Sequence, residues 1–175
     1  MDAPSAAQDN LPISSDALLA QLDAWGLQYE LFSHVPLRTV ADAKQVEAQM
    51  ERPGVTGLRI KNLYLRDRKK RNFLFSLEQD REVDLKALGK EIGAGGLSFG
   101  SSDRLMQNLG ILPGAVSPLA MITGATQGVQ FFMDAAAQQA DVINMHPLVN
   151  DRTVVMPRAD FLAFLQRVGV EVSWI

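Results

Sequence analysis

Two apolar runs on either side of a strongly basic turn constrain this chain most. The first run precedes Arg66, and the second extends from Phe73 to Leu77. Between them, five of the six residues from Arg66 to Arg71 are arginine or lysine. Apolar runs of this length joined by a short polar segment are typical of a β-hairpin. The sequence therefore predicts two neighbouring strands here, with a charged turn at their tip.

A lysine followed by an asparagine, Lys61-Asn62, lies inside the first apolar run. Because an unpaired buried ammonium is costly, this lysine needs an explanation. Its stem can pack along the sheet while its amine reaches solvent. Alternatively, it is a fixed cation that contacts a phosphate, a carbonyl oxygen or a terminal hydroxyl in a pocket. The basic turn also has two interpretations: it is a solvated hairpin tip, or it contacts an RNA backbone.

Length, charge and cysteine content exclude several classes of protein. The 175 residues suit one compact domain, and the lack of cysteine removes disulfides, thiol catalysis and thiolate metal sites. A net charge of −3 argues against a protein that binds a long nucleic-acid groove, but allows contact with the end of an RNA. Neither a secretory signal nor an apolar run of the ~20 residues that span a bilayer is visible. We therefore expect a cytoplasmic protein with no membrane or DNA partner.

Helix caps and apolar patterns predict irregularly interleaved helices and strands. Residues 1–12 are expected to be a flexible N-terminus, and residues 13–175 a single domain. Capping segments at Ser14-Ser15-Asp16, Thr39-x-x-Asp42, Asp84 and Ser101/Ser102-Asp103 predict helices, and strands are predicted at Tyr29–His34, Leu119–Ile122, Val129–Met133, Asp141–Met145, Thr153–Met156 and Val170–Ile175. This order favours a mixed α/β or α+β sheet over a regular βαβ winding.

The residues that can carry chemistry are few. The two histidines, His34 and His146, lack the spacing of metal ligands, and the glycine clusters match no nucleotide-binding loop, so no metal or cofactor is predicted. His146 follows a predicted strand that Pro147 ends, where a lone histidine is more often a structural hydrogen-bonding group than a catalyst.

The segment Gly114 to Pro118 is sharply turned and stiffened, since it begins with glycine and ends with proline. Such a loop can point several backbone groups at one spot, or it can be an ordinary connection.

Three segments in order, IKNLYLRD, GAVSP and NMHPLVN, closely resemble the aminoacyl-tRNA editing domains related to the insertion domain of bacterial prolyl-tRNA synthetase. The best match is the free-standing ProXp-ala (PrdX) type of prolyl-tRNA editing protein, over roughly residues 12–172. The resemblance implies a YbaK-like fold with a central mixed, mostly antiparallel, curved sheet surrounded by helices. It also implies one editing domain over residues 13–175.

The resemblance implies a trans-editing hydrolase that removes alanine mistakenly attached to proline tRNA, using water and no metal or cofactor. Its partners would be the acceptor end of an aminoacylated tRNA and prolyl-tRNA synthetase. The implied catalytic residues are Lys61, Gly114 and His146, and the implied substrate-binding residues are Asn62, Ala115, Val116, Ser117, Pro118 and Asn144. Two alternatives remain: a related deacylase for Cys-tRNA or another small mischarged amino acid, and a non-catalytic domain that binds tRNA or a synthetase.

Overall fold

A computed structural model describes residues 5–175 as a mixed sheet with helices on both faces. The helices are α1 (Ser15–Ala24), α2 (Val40–Glu47), α3 (Leu85–Ile92), α4 (Ser102–Leu109), α5 (Met121–Gly124) and α6 (Arg158–Arg167). The strands are β1 (Glu30–Ser33), β2 (Gly57–Arg66), β3 (Asn72–Glu78), β4 (Ser98–Phe99), β5 (Gln130–Met133), β6 (Val142–Met145), β7 (Arg152–Pro157) and β8 (Ser173–Trp174).

The sheet has the strand order β1-β7-β6-β2-β3-β5-β8, with β4 paired to the end of β2. Among the described residues, the pairs β1–β7, β2–β3, β2–β4 and β6–β7 are antiparallel. The pairs β2–β6, β3–β5 and β5–β8 are parallel. The predicted hairpin is confirmed as β2 and β3, and the mixed, mostly antiparallel sheet is confirmed as well.

Apolar side chains from the two faces of the sheet form two separate cores. The larger core joins helices α1, α4 and α6 to the sheet through residues such as Leu22, Leu109 and Phe161. The smaller one packs Leu88 of α3 against alternate residues of the hairpin, including Phe75. Because strand side chains alternate between faces, the hairpin contributes to both cores. It therefore lies in the middle layer of the molecule.

The predicted helix caps are confirmed at all four positions. The hydroxyls of Ser14 and Ser101 and the carboxylate of Asp84 accept hydrogen bonds from backbone N–H groups of the first turn. Thr39 and Asp42 form a reciprocal capping box at the start of α2. These short side chains satisfy donors that a helix N-terminus otherwise leaves unpaired.

The predicted strand over Leu119–Ile122 is wrong. A 3-10 turn over Pro118–Ala120 continues into helix α5 at this point. Ser117 caps the turn through a hydrogen bond from the Leu119 N–H, and proline suits the first position because its fixed φ matches a helical turn. A short apolar run does not distinguish a strand from a buried helical turn.

The N-terminal segment, so far as the structure describes it, makes side-chain hydrogen bonds to the domain. Ser5 donates a hydrogen bond to the Asp151 carboxylate, and Gln8 donates one to Asp16. Both Ser5 and Gln8 are buried. Residues 1–4 lie outside the described part of the chain, and the domain boundary at residue 12 stays a prediction.

Within residues 5–175, none of the helices has the length and apolar character needed to cross a bilayer. The cytoplasmic location stays a prediction.

Candidate active site

A small cavity of about 310 Å³ lies where strand β6 ends beside β2. The parallel pairing of these strands ends with Arg59 opposite Asn144. The chain then leaves β6 at His146, while β2 continues alongside β3. This divergence opens a gap in the sheet. The lining residues are Leu37, Arg38, Thr39, Ala43, Val46, Glu47, Arg59, Ile60, Asn62, Gln79, Gly114, Asn144, Met145, His146, Asn150 and Thr153.

Four of the residues predicted from the sequence line this cavity together: Asn62, Gly114, Asn144 and His146. They come from three segments that are separated by up to 84 positions in the chain, from Asn62 to His146. The structure therefore brings together one residue or more from each of the three motifs.

His146 is half-buried, and its ring is held by the backbone. Its Nδ1 lies 2.8 Å from the Arg152 carbonyl oxygen, which can only accept, so Nδ1 carries the donated hydrogen. Burial lowers the pKa of His146, with the hydrogen bond to Arg152 opposing that shift and the nearby His34 ring adding to it. The ring is therefore neutral at pH 7, which leaves Nε2 as a hydrogen-bond and proton acceptor.

Gly114 lies in the cavity wall with a backbone that other residues avoid. Its φ is +87°, in the left-handed region. A Cβ atom at this position would lie 3.4 Å from Nδ2 of Asn150. Asn150 in turn accepts from the Leu37 N–H and donates to the Leu37 carbonyl, at 3.1 and 2.9 Å. These contacts hold the loop before α2 against Asn150 in the cavity wall.

Asn62 is oriented by the neighbouring strand. Its Oδ1 accepts a hydrogen bond of 2.6 Å from the hydroxyl of Ser76, its register partner on β3. This bond fixes the amide, whose Nδ2 donor and second Oδ1 lone pair remain to meet a ligand in the cavity. Asn144 is placed by a 3.8 Å contact of its Nδ2 with the Met50 sulfur.

Lys61 is not among the described residues that line the cavity. Successive strand residues point to opposite faces, so Lys61 and Asn62 cannot both face the same side of β2. The Lys61 ammonium donates to the backbone carbonyl of Arg81. This contact satisfies one of its three N–H donors.

The remaining loop residues pack inward. Ala115 and Ser117 are buried, and Pro118 begins the turn described above. Val116 packs against the larger core. Of the predicted GAVSP loop, Gly114 is the member that lines the cavity in the described structure. The substrate-binding roles of the other four stay predictions.

Sequence reasoning missed the charged pair formed by Glu47 and Arg59. Glu47, the last residue of α2, lies 3.4 Å from Arg59 Nη1, and Arg59 also pairs with Glu51. Burial raises the pKa of Glu47, and the Arg59 guanidinium opposes that effect. The pairing joins α2 to β2 across the cavity. No spacing of residues in the sequence predicts it.

A second, larger cleft of about 1020 Å³ adjoins the cavity. The two share Glu47, Arg59, Gln79 and Asn144 as lining residues. The shared side chains therefore form the partition between them. Within residues 5–175, no three His, Asp or Glu side chains are grouped in a way that could hold a metal ion.

Residues 36–164 match the family model of the aminoacyl-tRNA editing domain. The chain belongs to this family. The match includes all four cavity residues that the sequence motifs predicted. As a member, the protein is a hydrolase of the aminoacyl-tRNA deacylase class.

Two relatives are similar in sequence to this chain over most of its length. The prolyl-tRNA editing protein ProX of Acetoanaerobium sticklandii is 32% identical over 148 residues, which cover 84% of this chain and 87% of that protein. The prolyl-tRNA synthetase associated domain-containing protein 1 of Mus musculus is 28% identical, over 85% of this chain and 88% of its own.

Solved structures share the fold at low sequence identity. A crystal structure of a candidate trans-editing enzyme for prolyl-tRNA synthetase superposes with a TM-score of 0.63 at 18% identity, covering 90% of this chain and 91% of the other. The hypothetical protein APE2540 gives 0.65 at 15% identity, over 89% and 95% of the two chains. These likenesses confirm the fold class.

Proposed function

We propose that this protein is a trans-editing deacylase that hydrolyses the ester of Ala-tRNA(Pro) and spares Pro-tRNA(Pro). The observation that carries the proposal is the meeting of Asn62, Gly114, Asn144 and His146 in one small cavity. Its volume of about 310 Å³ is near the lower limit of ligand sites, which span ~300–1,000 Å³. A cavity of this size suits a single amino acid and its ester link, and a tight fit around the side chain would penalise the extra methylenes of proline.

The chemistry is the attack of water on an ester that links the amino acid to the terminal ribose. Nε2 of the neutral His146 ring accepts a proton from that water, while the backbone around Gly114 and the Asn62 amide hold the ester beside it. The carbonyl oxygen gains negative charge as the bond forms, and N–H donors stabilise it. The bond from the acyl carbon to the ribose oxygen then breaks, and that oxygen leaves with the proton that His146 returns to it.

Lys61 is proposed to anchor the tRNA end beside the cavity and not to take part in the proton transfer. One donor of its ammonium meets the Arg81 carbonyl, and the other two remain for a phosphate or ribose oxygen. The relatives' names connect prolyl-tRNA synthetase with this family, and we propose the same synthetase as a partner here.

The test is a deacylation panel of Ala-tRNA(Pro), Cys-tRNA and Pro-tRNA(Pro), run with the wild-type protein and with Lys61→Ala. We expect the wild type to clear Ala-tRNA(Pro) first and Lys61→Ala to lose at least about tenfold in kcat/KM, the equivalent of ~1.4 kcal/mol. Lys86→Ala, which removes an exposed lysine on α3, is the matched control.

Preferential hydrolysis of Cys-tRNA would replace the proposed substrate with that of the related deacylase. Binding of tRNA with strong salt dependence but no hydrolysis above the uncatalysed rate would make the protein a binding domain. Unchanged turnover in Lys61→Ala would remove the anchor role and leave the lysine as a structural contact of Arg81.

A further inference from the structure

Among the described residues that line the small cavity, Glu47 is the single carboxylate. Two arginines, Arg38 and Arg59, also line it, and the other polar groups there are amides, hydroxyls and the neutral His146 ring. A cationic group that enters the cavity therefore meets one anionic partner.

The Glu47 carboxylate has an unused acceptor. Its side chain is 14% exposed, and Oε1 accepts a hydrogen bond of 3.4 Å from Gln79. Oε2 is buried and accepts no hydrogen bond from any residue that the structure describes. It lies 3.4 Å from Arg59 Nη1, which neutralises part of its charge without completing its hydrogen bonding. Such a buried acceptor is unfavourable unless a ligand or solvent completes it.

Arg59 does not donate all its hydrogen bonds to the Glu47 carboxylate, because it also pairs with a second carboxylate. Its Nη2 donates to Glu51, whose side chain is 68% exposed. A guanidinium pairs best with one carboxylate through two parallel bonds, and here it is divided between two. The division leaves Glu47 Oε2 without a hydrogen-bond donor among the described residues.

We infer that Glu47 binds the α-ammonium group of the aminoacyl ester and so orients the ester in the cavity. This inference rests on the proposed function, since it names the group that receives one part of the proposed substrate. The α-ammonium is the cationic group common to aminoacyl esters, and its N–H donors suit a carboxylate oxygen. Held by Glu47 at one end, the ester carbon is directed toward the cavity wall that carries Gly114 and His146. Glu47 thereby acts as a positioning residue.

The experiment compares Ala-tRNA(Pro) with lactyl-tRNA(Pro), which nitrous acid deamination produces from it. The two substrates have the same methyl group and the same ester, but a hydroxyl replaces the ammonium. We expect the wild type to prefer Ala-tRNA(Pro) by tenfold or more in kcat/KM, after each rate is corrected for uncatalysed hydrolysis. In Glu47→Gln, kcat/KM for Ala-tRNA(Pro) should fall about tenfold, mainly through KM, while that for lactyl-tRNA(Pro) changes less than about twofold.

Glu91→Gln is the matched control, because it removes an exposed carboxylate on α3 that does not line the cavity. It should leave the preference for Ala-tRNA(Pro) intact. If Glu47→Gln does not fold, Glu47→Asp keeps the charge on a shorter stem, and its loss should again be confined to Ala-tRNA(Pro).

An equal loss on both substrates in Glu47→Gln would show a structural role and overturn the inference. A wild type that hydrolyses both substrates equally well would also overturn it while leaving the deacylase function standing. A wild type that hydrolyses neither would remove the proposed function and the inference together.

Discussion

His146 has a lowered pKa and a fixed tautomer. The lowered pKa can be measured from the pH dependence of the rate of hydrolysis. Because burial lowers its pKa, the ring stays neutral to a more acidic pH than an ordinary histidine, whose pKa is ~6.5. Protonation removes the acceptor at Nε2, so activity should fall on the acidic side. We expect the midpoint of that fall in kcat/KM to lie below about pH 6.5.

The pH profile of His146→Gln checks this assignment. Loss of a general base typically lowers the rate by about 10²–10⁴-fold, and the acidic limb should disappear with it. His34→Gln, which alters the neighbouring ring 6.4 Å away, should keep the limb. If the acidic limb persists unchanged in His146→Gln, the limb belongs to another titrating group.

Gly114→Ala should reduce both stability and activity. A residue with a Cβ atom at this left-handed backbone is expected to cost about 1–2 kcal/mol in free energy of unfolding. The new methyl group would also lie in van der Waals contact with the Asn150 amide and change the cavity wall beside the ester, so kcat/KM should fall by about tenfold or more.

Gly128→Ala is the control for Gly114→Ala. Gly128 also has a positive φ, +73°, but a Cβ there would meet no atom within 4 Å, and the residue does not line the cavity. It should lose similar stability in denaturant unfolding while kcat/KM stays the same. Equal activity losses in the two variants would mean that Gly114 acts through stability alone.

Four residues that the sequence motifs indicated lie together in the structure, while their chemical roles stay predictions. Asn62, Gly114, Asn144 and His146 do meet in one cavity. Lys61 does not line it, and strand alternation places its side chain on the opposite face of β2 from that of Asn62. Glu47 was not predicted from the sequence, because its pairing with Arg59 depends on the packing of α2 against β2, which no local pattern specifies.

Helix α2 carries one wall of the cavity, so its N-terminal cap bears on substrate binding. The Asp42 carboxylate accepts hydrogen bonds from the Thr39 and Arg38 N–H groups. Asp42→Ala breaks the capping box and loosens the turn that leads to Ala43 and Val46 in the wall. We expect KM for Ala-tRNA(Pro) to rise severalfold with a smaller change in kcat, in steady-state deacylation assays.

Ser101→Ala removes the corresponding cap of α4, which lies away from the cavity. It should cost about 1 kcal/mol of stability and leave KM unchanged. A rise in KM of the same size in both variants would attribute the effect to general destabilisation.

Among the helices and strands, the sequence predicted correctly the features in which a side chain interacts with backbone within one turn. The four N-terminal caps and the basic hairpin are of this kind. The strand expected at Leu119–Ile122 failed because its apolar residues are buried in a helical turn, and burial alone does not specify the backbone. Strand order could not be obtained from the chain, since parallel pairs such as β2–β6 join distant segments.

The whole molecule has a net charge of −3, so RNA binding must depend on local groups of basic residues. Lys69 and Lys70 are exposed at the hairpin tip, whereas Arg71 is paired with the buried Asp67. If the two lysines contact phosphates, Lys69→Ala/Lys70→Ala should reduce the slope of log Kd against log salt concentration by about 1.4–1.8. Fluorescence anisotropy with labelled tRNA(Pro) measures this slope.

Arg158→Ala/Arg167→Ala removes two charges from α6 and is the control for the salt experiment. Its slope should equal that of the wild type. Equal slopes in all three proteins would make the hairpin tip a solvated turn without RNA contact.

The most direct test of the account is the ratio of hydrolysis rates for Ala-tRNA(Pro) and Pro-tRNA(Pro), measured with the wild-type protein under identical conditions. The small cavity with His146 and Gly114 in its wall predicts that the alanyl ester is cleared at least about 100-fold faster. Equal rates for the two esters, or no hydrolysis of the alanyl ester above the uncatalysed rate, would contradict it.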